Sequence, residues 1–435
     1  MTAGKMGFVD IVERMRSDWN RRAKEDAYFY AAFAKRQQSD EEFFASASDT
    51  IPTLEKEFFR LPAASREERR ALEIGCGPGR LMGPMSRHFG EIHGVDISQE
   101  MIALAAERLR SIPGARLHVT PGSDLKMFAG DSFDYAYSYT VFQHIPSRDV
   151  VLGYLRESRR VLKPGGILCC QLRGTPPLQT EMERELETWT GCHFSRDEML
   201  AFAREHDFQL VAISGLETQY MWTTWRKPLP GVRDFSRAEL KNATISSGSE
   251  RQVPLRGSEA CVGLWIDGLP ANCDLSDFEA RFGDVPQRGA FLAPVGPGGA
   301  GQLNARVPPG VPVGEVAVTL LAGGQPIPGR CVIQIVPAHM QPSIVTVTDA
   351  IHIGSKFRVE TGGLKVTLEG VERPAEVSFH IQGREAEIVQ TEYKDPILEK
   401  YEYSFYLPKK TLKGSVPLII RIAGREMASV PIEIV

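Results

Sequence analysis

The sequence predicts an α/β first half, built as a doubly wound sheet, followed by two all-β modules. Three observations carry that expectation. Residues 1 to about 226 alternate strand-like and helix-like segments. A glycine-dense loop, Gly75-Cys76-Gly77-Pro78-Gly79, follows the short apolar strand Ala71-Leu72-Glu73-Ile74. From about residue 240, β-branched runs such as Val316–Leu320, Val332–Val336 and Pro417–Ile422 recur between Gly- and Pro-rich turns.

The glycine loop carries the chemistry. Gly75, Gly77 and Gly79 stand at every second position, where missing Cβ atoms allow positive φ and let a ligand approach the backbone. The next segment, Arg80 to His88, reads as a helix whose first amides face the same pocket. The dinucleotide pattern GxGxxG fails, because its third glycine falls on Arg80 counted from Gly75 and on Met82 counted from Gly77. The phosphate-loop pattern fails as well, since no Gly-Lys-Ser/Thr follows. What remains is ExGxGxG with an acidic residue, Asp96, ending the strand that begins at Glu91. A carboxylate there can accept both hydroxyls of a ribose.

With these residues the chain resembles the class I S-adenosylmethionine-dependent methyltransferases over residues 10 to 226, and later motifs agree in order. Gly122-Ser123-Asp124-Leu125 follows a third strand, Arg116 to Thr120; Asp131 to Ser138 leads through a fourth; Val141-Phe142-Gln143-His144-Ile145 resembles the loop lining the substrate side. Leu155 to Gly166 matches the helix and turn before a fifth strand, Ile167 to Gln171, and Phe208 to Ile213 and Gln219 to Trp225 supply two more. The resemblance implies a Rossmann-like seven-stranded domain that takes S-adenosyl-L-methionine. Glu73 with Gly75, Gly77 and Gly79 would hold the amino-acid end, Asp96 the ribose, and Asp124 with Leu125 the adenine. Ile97, Met101, Ser138 and Tyr139 complete the implied cofactor set. A lid over the cofactor is implied for the segment around Trp19 and Arg22, with Arg22 or Arg80 meeting the methionine carboxylate. The other reading makes Trp19, Tyr28 and Phe29 the apolar face of a helix. His144 is the candidate catalytic base, because it lies just past the fourth strand and imidazole suits proton removal at neutral pH.

The remaining chain bounds the function class. A net charge of −4 gives no electrostatic reason to expect nucleic acid, and no apolar run approaches the roughly 20 residues of a membrane span. The charged, amphipathic N-terminus lacks the apolar stretch of a secretion signal, which points to the cytoplasm. Seven scattered cysteines form no CxxC pair, so free thiols and no metal site are expected, with Cys169 and Cys170 buried in a strand. The expected domains are 1–230, whose first 60 residues form a helical lid segment, then sandwiches at 236–338 and 339–435. The joint lies at Lys227-Pro228-Leu229-Pro230-Gly231. The sandwiches loosely resemble immunoglobulin-like (IPT/TIG-like) modules on strand rhythm and Gly-Leu-Pro turns, implying binding or assembly, including protein or homo-oligomer contacts. The reading is a methyltransferase for a small molecule or a glycan- or lipid-linked acceptor, at oxygen or nitrogen. Its alternative is a cofactor-binding scaffold whose sandwiches hold a partner or polysaccharide.

Overall fold

The structure is a computed structural model that describes residues 8–32, 36–174, 191–338, 340–350, 355–395 and 399–435. The chain forms two compact units, one of residues 1–251, 262–311 and 315–333, the other of 252–261, 312–314 and 334–435. No helix among the described residues is long and apolar enough to cross a membrane.

The first unit opens with helices α1 (Phe8–Ala32), α2 (Asp40–Ala45) and α3 (Ile51–Glu55). Within α1, Asp26 leaves helical geometry, and its carboxylate accepts the amides of Phe29 (3.1 Å) and Gln37 (2.9 Å), which starts a second helical stretch. Strands β1 (Arg70–Ile74), β2 (Glu91–Asp96), β3 (Ala115–Val119), β4 (Phe133–Ser138) and β5 (Leu162–Leu172) then alternate with α4 (Met82–Met85), α5 (Gln99–Arg108) and α6 (Arg148–Val161). Each longer helix begins where a serine side chain takes an amide of the first turn: Ser98 that of Met101, Ser147 that of Val150. Helix α7 (Arg196–His206) starts on a full capping box from Ser195 and Glu198. Strands β6 (Gln209–Ser214) and β7 (Met221–Arg226) follow.

β3, β2, β1, β4 and β5 pair in parallel, and β7 and then β6 add antiparallel. Covered on both faces, β5 reads as one apolar run, with Cys169 and Cys170 buried in it. The expected helix over Arg80–His88 is shorter: α4 holds four residues and a 3₁₀ turn covers Ser86–His88. Gly83 and Pro84 explain the difference, since proline lacks the amide that a continuing helix requires.

The sheet does not stop at β6. Beyond it come β8 (Glu239–Ile245), β9 (Gln252–Pro254), β10 (Cys261–Asp267), β11 (Phe278–Phe282), β12 (Val285–Gln287), β13 (Phe291–Leu292), β14 (Gly301–Arg306) and β15 (Gly314–Ala322). β13 pairs antiparallel with β6, Phe291 opposite Ala212, and among the described residues the sheet runs on through β14, β10 and β8 to eleven strands. β11 pairs with β12 and β15 in a second layer, where Val316, Val318, Leu320 and Ala322 alternate inward. The boundary expected at 227–231 therefore falls inside one compact unit.

Polar groups fasten this joint. The carboxylate of Asp274, fully buried, accepts the Leu210 amide at 3.1 Å and the Ser276 amide and hydroxyl at 3.0 and 2.6 Å. Arg60 is buried with Glu57 (2.7 Å) and donates to the Leu292 carbonyl at 2.6 Å. Sequence patterning could not reveal these partners, which lie 64 and 232 positions apart.

The second unit is all-β. One of its sheets joins Ser343–Asp349, Gly363–Glu369, Lys400–Tyr406 and Ile388–Asp395; another joins Val377–Ile381 with Gly414–Ile422 and Arg425–Ile434. Both contribute to one core, including Leu364, Val366, Phe379, Tyr403, Phe405, Leu418 and Ile420. Gln334–Val336 pairs in parallel with Gln252–Pro254, so this unit begins ahead of the seam expected at 337–338.

Asp274→Ala would leave the buried Leu210 amide without its acceptor, which costs about 1–3 kcal/mol. Thermal melting of the full chain is expected to show an earlier first transition; a Tm equal to wild type would show that the joint does not depend on this carboxylate.

Candidate cofactor and active site

The pocket sits beyond the carboxyl ends of β1, β2 and β4, where the strand order reverses. Counted with its open mouth, it spans about 850 Å³. Glu73, Ile74, Gly75, Cys76 and Gly77 form its floor, Asp96, Ile97 and Met101 one wall, and Tyr139, Thr140, Val141 and Ile145 the opposite wall. Met15, Trp19, Tyr30 and Ala31 of the N-terminal segment cover it.

Two glycines show why the loop tolerates no side chain. A Cβ on Gly75 (φ +74°) would lie 2.4 Å from Val141 Cγ2, so this residue lets the loop close on the far wall. Gly77 (φ +52°) has room for a Cβ, with Ala31 at 3.9 Å, but holds a left-handed backbone and donates its amide to Asp96 Oδ2 at 2.9 Å. Gly79 faces away, against Leu109 of the α5 end, and serves packing rather than the pocket.

Asp96 Oδ1 accepts the Ser98 amide at 2.8 Å, so a single carboxylate holds both the loop and the start of α5. Burial pushes its pKa up to about 6, against the amides of Ser98 and Gly77. Glu73 is buried below the loop and accepts the Tyr137 hydroxyl at 2.8 Å. Burial pushes its pKa up to about 8; the Tyr137 bond and the Arg80 charge oppose this, and Asp96 adds to it.

Of the two candidate arginines, Arg80 lines the pocket; its guanidinium donates to Ser46 O at 3.1 Å and stands 5.4 Å from the Tyr139 ring centre. Arg22 is buried behind the wall, over the Trp19 ring at 4.9 Å, and burial lowers its pKa. The two readings of α1 both hold in part. Trp19 lines the pocket and also packs on the cluster of Ala23, Ala27 and Met101. Tyr28 stacks on Phe43 at 4.0 Å and donates to Asp40, which makes it part of the core. Asn20 fastens this cover to α5 by accepting the Ser98 hydroxyl at 2.7 Å.

Asp124 and Leu125 stand beside the pocket rather than on its wall: the Asp124 carboxylate pairs with Lys126 at 3.1 Å, and the Leu125 amide donates to Glu157 at 3.1 Å. Ser138 is buried and ties β4 to β1 through the Ile74 carbonyl at 2.9 Å. His144 closes a 3₁₀ turn, with its ring edge-on to Trp19 at 5.9 Å and Gln143 Nε2 at 3.4 Å from its Nε2.

Met15 and Tyr154, which no sequence motif marks, also line the pocket, as do Thr120 and Gly122 at the end of the third strand and the start of its motif. Tyr154 reaches it from α6. Val141 and Ile145 bound the loop Val141–Ile145 and were legible there. Thr140 carries φ +54°, uncommon for a residue with a Cβ, and its amide donates to Gln171 Oε1 at 3.1 Å. No group of three or more His, Cys, Asp or Glu that could hold a metal occurs among the described residues.

The donor set fits S-adenosylmethionine. Two acidic side chains suit an ammonium and ribose hydroxyls, Arg80 suits a carboxylate, and Ile97 and Met101 suit a flat base, while the amides of Gly75, Cys76 and Gly77 are taken by the Val95 carbonyl and Asp96.

Comparison with known proteins agrees with this geometry. Residues 72–170 match the family model described as a methyltransferase domain. The chain is 34% identical over 119 residues to a ubiquinone biosynthesis O-methyltransferase of Cereibacter sphaeroides, covering 25% of this chain and 42% of that protein. It is 31% identical over 116 residues to a demethylmenaquinone methyltransferase of Staphylococcus aureus, covering 26% and 46%. A solved structure of Haemonchus contortus phosphoethanolamine N-methyltransferase 2 aligns with a TM-score of 0.39 at 18% identity, over 51% of this chain and 60% of that one. The chain thus spans less than half the length of the two sequence relatives. Residues 72–170 are the part of the chain that is similar to methyltransferase domains, and the pocket's lining suits the S-adenosylmethionine that such domains take.

Asp96→Ala is expected to weaken S-adenosylmethionine binding by about 1.5–3 kcal/mol, the worth of a lost charged hydrogen bond. Calorimetry that finds unchanged affinity would remove Asp96 from the binding set. Glu73 supplies a pH signature. Its folded pKa lies above its unfolded one, so its contribution to stability is full below about pH 4.5 and is lost as pH rises through about 8. The Tm of ligand-free protein is expected to fall over that window, and Glu73→Gln to flatten the fall. An identical pH slope in the variant would show that Glu73 titrates normally.

Proposed function

We propose that the chain methylates a small molecule or a glycan- or lipid-linked acceptor, at oxygen or nitrogen, using S-adenosylmethionine. The observation that carries this reading is the covered pocket with Glu73 and Asp96 at the strand ends and Tyr139, Thr140, Val141 and Ile145 opposite them. The bound cofactor supplies a methyl group already activated by the sulfonium. The chain's own task is then to grip it, exclude water and present an acceptor in line. Trp19 and Met15 exclude water by covering the pocket; Asp96, Glu73 and the glycine loop grip. The quinone-pathway names of the two sequence relatives support a small-molecule acceptor.

His144 is assigned as the general base. It lies within the loop whose Val141 and Ile145 line the pocket; His144 itself is not on the wall, and its ring packs edge-on to Trp19, which is. Tyr139 and Gln143 nearby orient a hydroxyl but are poor bases at neutral pH. The β-rich remainder is read as immunoglobulin-like modules for binding or assembly, and the protein as a cytoplasmic enzyme without a nucleic-acid partner.

Release of S-adenosylhomocysteine, measured while fractionated cell extract is added as acceptor, tests the reading; cofactor binding without turnover in any fraction would make the chain a scaffold instead. With an accepting fraction in hand, His144→Ala is expected to lower turnover by about 10²–10⁴-fold while cofactor affinity stays nearly intact. The wild-type rate should rise with pH through an apparent pKa within one or two units of about 6.5, a limb the variant lacks. A drop below about threefold with a flat profile would leave positioning alone as the source of rate.

A further inference from the structure

We propose that a second cavity, formed by α7, the end of β12 and Arg288 just after it, binds a small oxyanion-bearing molecule whose phosphate or carboxylate group is held by Arg196, Arg204 and Arg288. The cavity spans about 640 Å³ counted with its open mouth and belongs wholly to the first compact unit. Arg196 and Arg204 lie eight positions apart on α7, so both point from one helix face, and Arg288 lines the same space. Three guanidinium groups thus share one cavity with two carboxylates, Asp197 and Glu279.

Those carboxylates do not neutralise the arginines closely. The Asp197 side chain is 84% exposed and comes no nearer to Arg196 than 3.9 Å; Glu279 stands 3.7 Å from Arg288. The hydrogen bonds shown are to neutral acceptors: Arg196 Nη1 donates to Gln287 Oε1 at 3.2 Å, and Arg288 Nη1 to the Phe278 carbonyl at 3.1 Å. Burial also lowers the pKa of Arg196, and the Arg288 charge acts in the same direction, while Asp197 and Glu217 oppose it. Like charges gathered in a partly dry cavity repel each other, and a bound oxyanion would reverse that repulsion. Guanidinium forks match phosphate and carboxylate oxygens two at a time, which a lysine cluster would not. The volume exceeds that of a bare ion and suits a small molecule carrying one. This site shares no lining residue with the cofactor pocket, so the inference stands apart from methyl transfer.

The test uses the full chain at fixed ionic strength, titrated by calorimetry with pyrophosphate and, separately, with citrate. Binding of either probe at millimolar concentration or tighter is expected, and the preferred probe tells a phosphate-type from a carboxylate-type ligand. Arg204→Glu, on an exposed helix position, should weaken that binding at least tenfold, and Arg196→Gln should do the same, with S-adenosylmethionine affinity unchanged in both. Should Arg196→Gln fail to fold, Arg204→Glu decides alone. No heat with either probe, or equal binding by wild type and Arg204→Glu, overturns the proposal.

Discussion

The site depends first on the Asp96 carboxylate. Its two oxygens take the amides of Gly77 and Ser98, so the loop after β1 and the first turn of α5 are fixed by one group. Ser98 then passes the constraint on: its hydroxyl reaches Asn20, and α1 is drawn over the pocket with Trp19 and Met15. Loop, helix and cover are thus placed in series from a single strand end. Asp96 stays largely ionised at neutral pH despite burial because amide donors favour its charged form. Glu73, with a tyrosine hydroxyl and a more distant arginine, receives less help and holds its proton to higher pH.

Much of this was legible in the sequence because it is local. The run from Glu73 to Gly79, the acidic end of β2 and the serine caps are short-range signals, and the structure brings Glu73, Gly75, Gly77, Arg80, Asp96, Ile97, Met101 and Tyr139 to one pocket. What was not legible depends on distant partners. Gly79 looks like its two neighbours in sequence, yet Leu109 decides its role. Asp124 and Leu125 sit in the expected motif, but Lys126 and Glu157 engage them. Arg22 and Arg80 are both buried, and only the pocket's shape separates them, taking in Arg80 and leaving out Arg22.

The joint between the α/β part and the first β-rich module follows the same logic at larger scale. Arg233 approaches Asp207, Asp274 and Asp277 within 3.5, 3.8 and 3.4 Å, while burial raises the pKa of both Asp274 and Asp277. Arg226 adds bonds to the carbonyls of Ala271 (2.7 Å) and Cys273 (3.4 Å). Desolvation offsets much of the attraction in such a network, so it contributes registry more than strength. These groups find their partners with β13 docked on β6, Phe291 opposite Ala212.

This continuity separates what is inherited together from what folds together. The stretch recognisable in other proteins, 72–170, ends within β5, whereas the hydrogen-bonded sheet runs six strands farther, to β8. Recombination that exchanged the module at the proline-rich joint would leave the β6 edge, Gln209 and Arg60 facing a stranger's backbone. β6 and β13 are therefore structural partners, and a substitution on one strand changes what the other packs against. In this chain the natural unit of exchange is larger than the unit that sequence comparison can see.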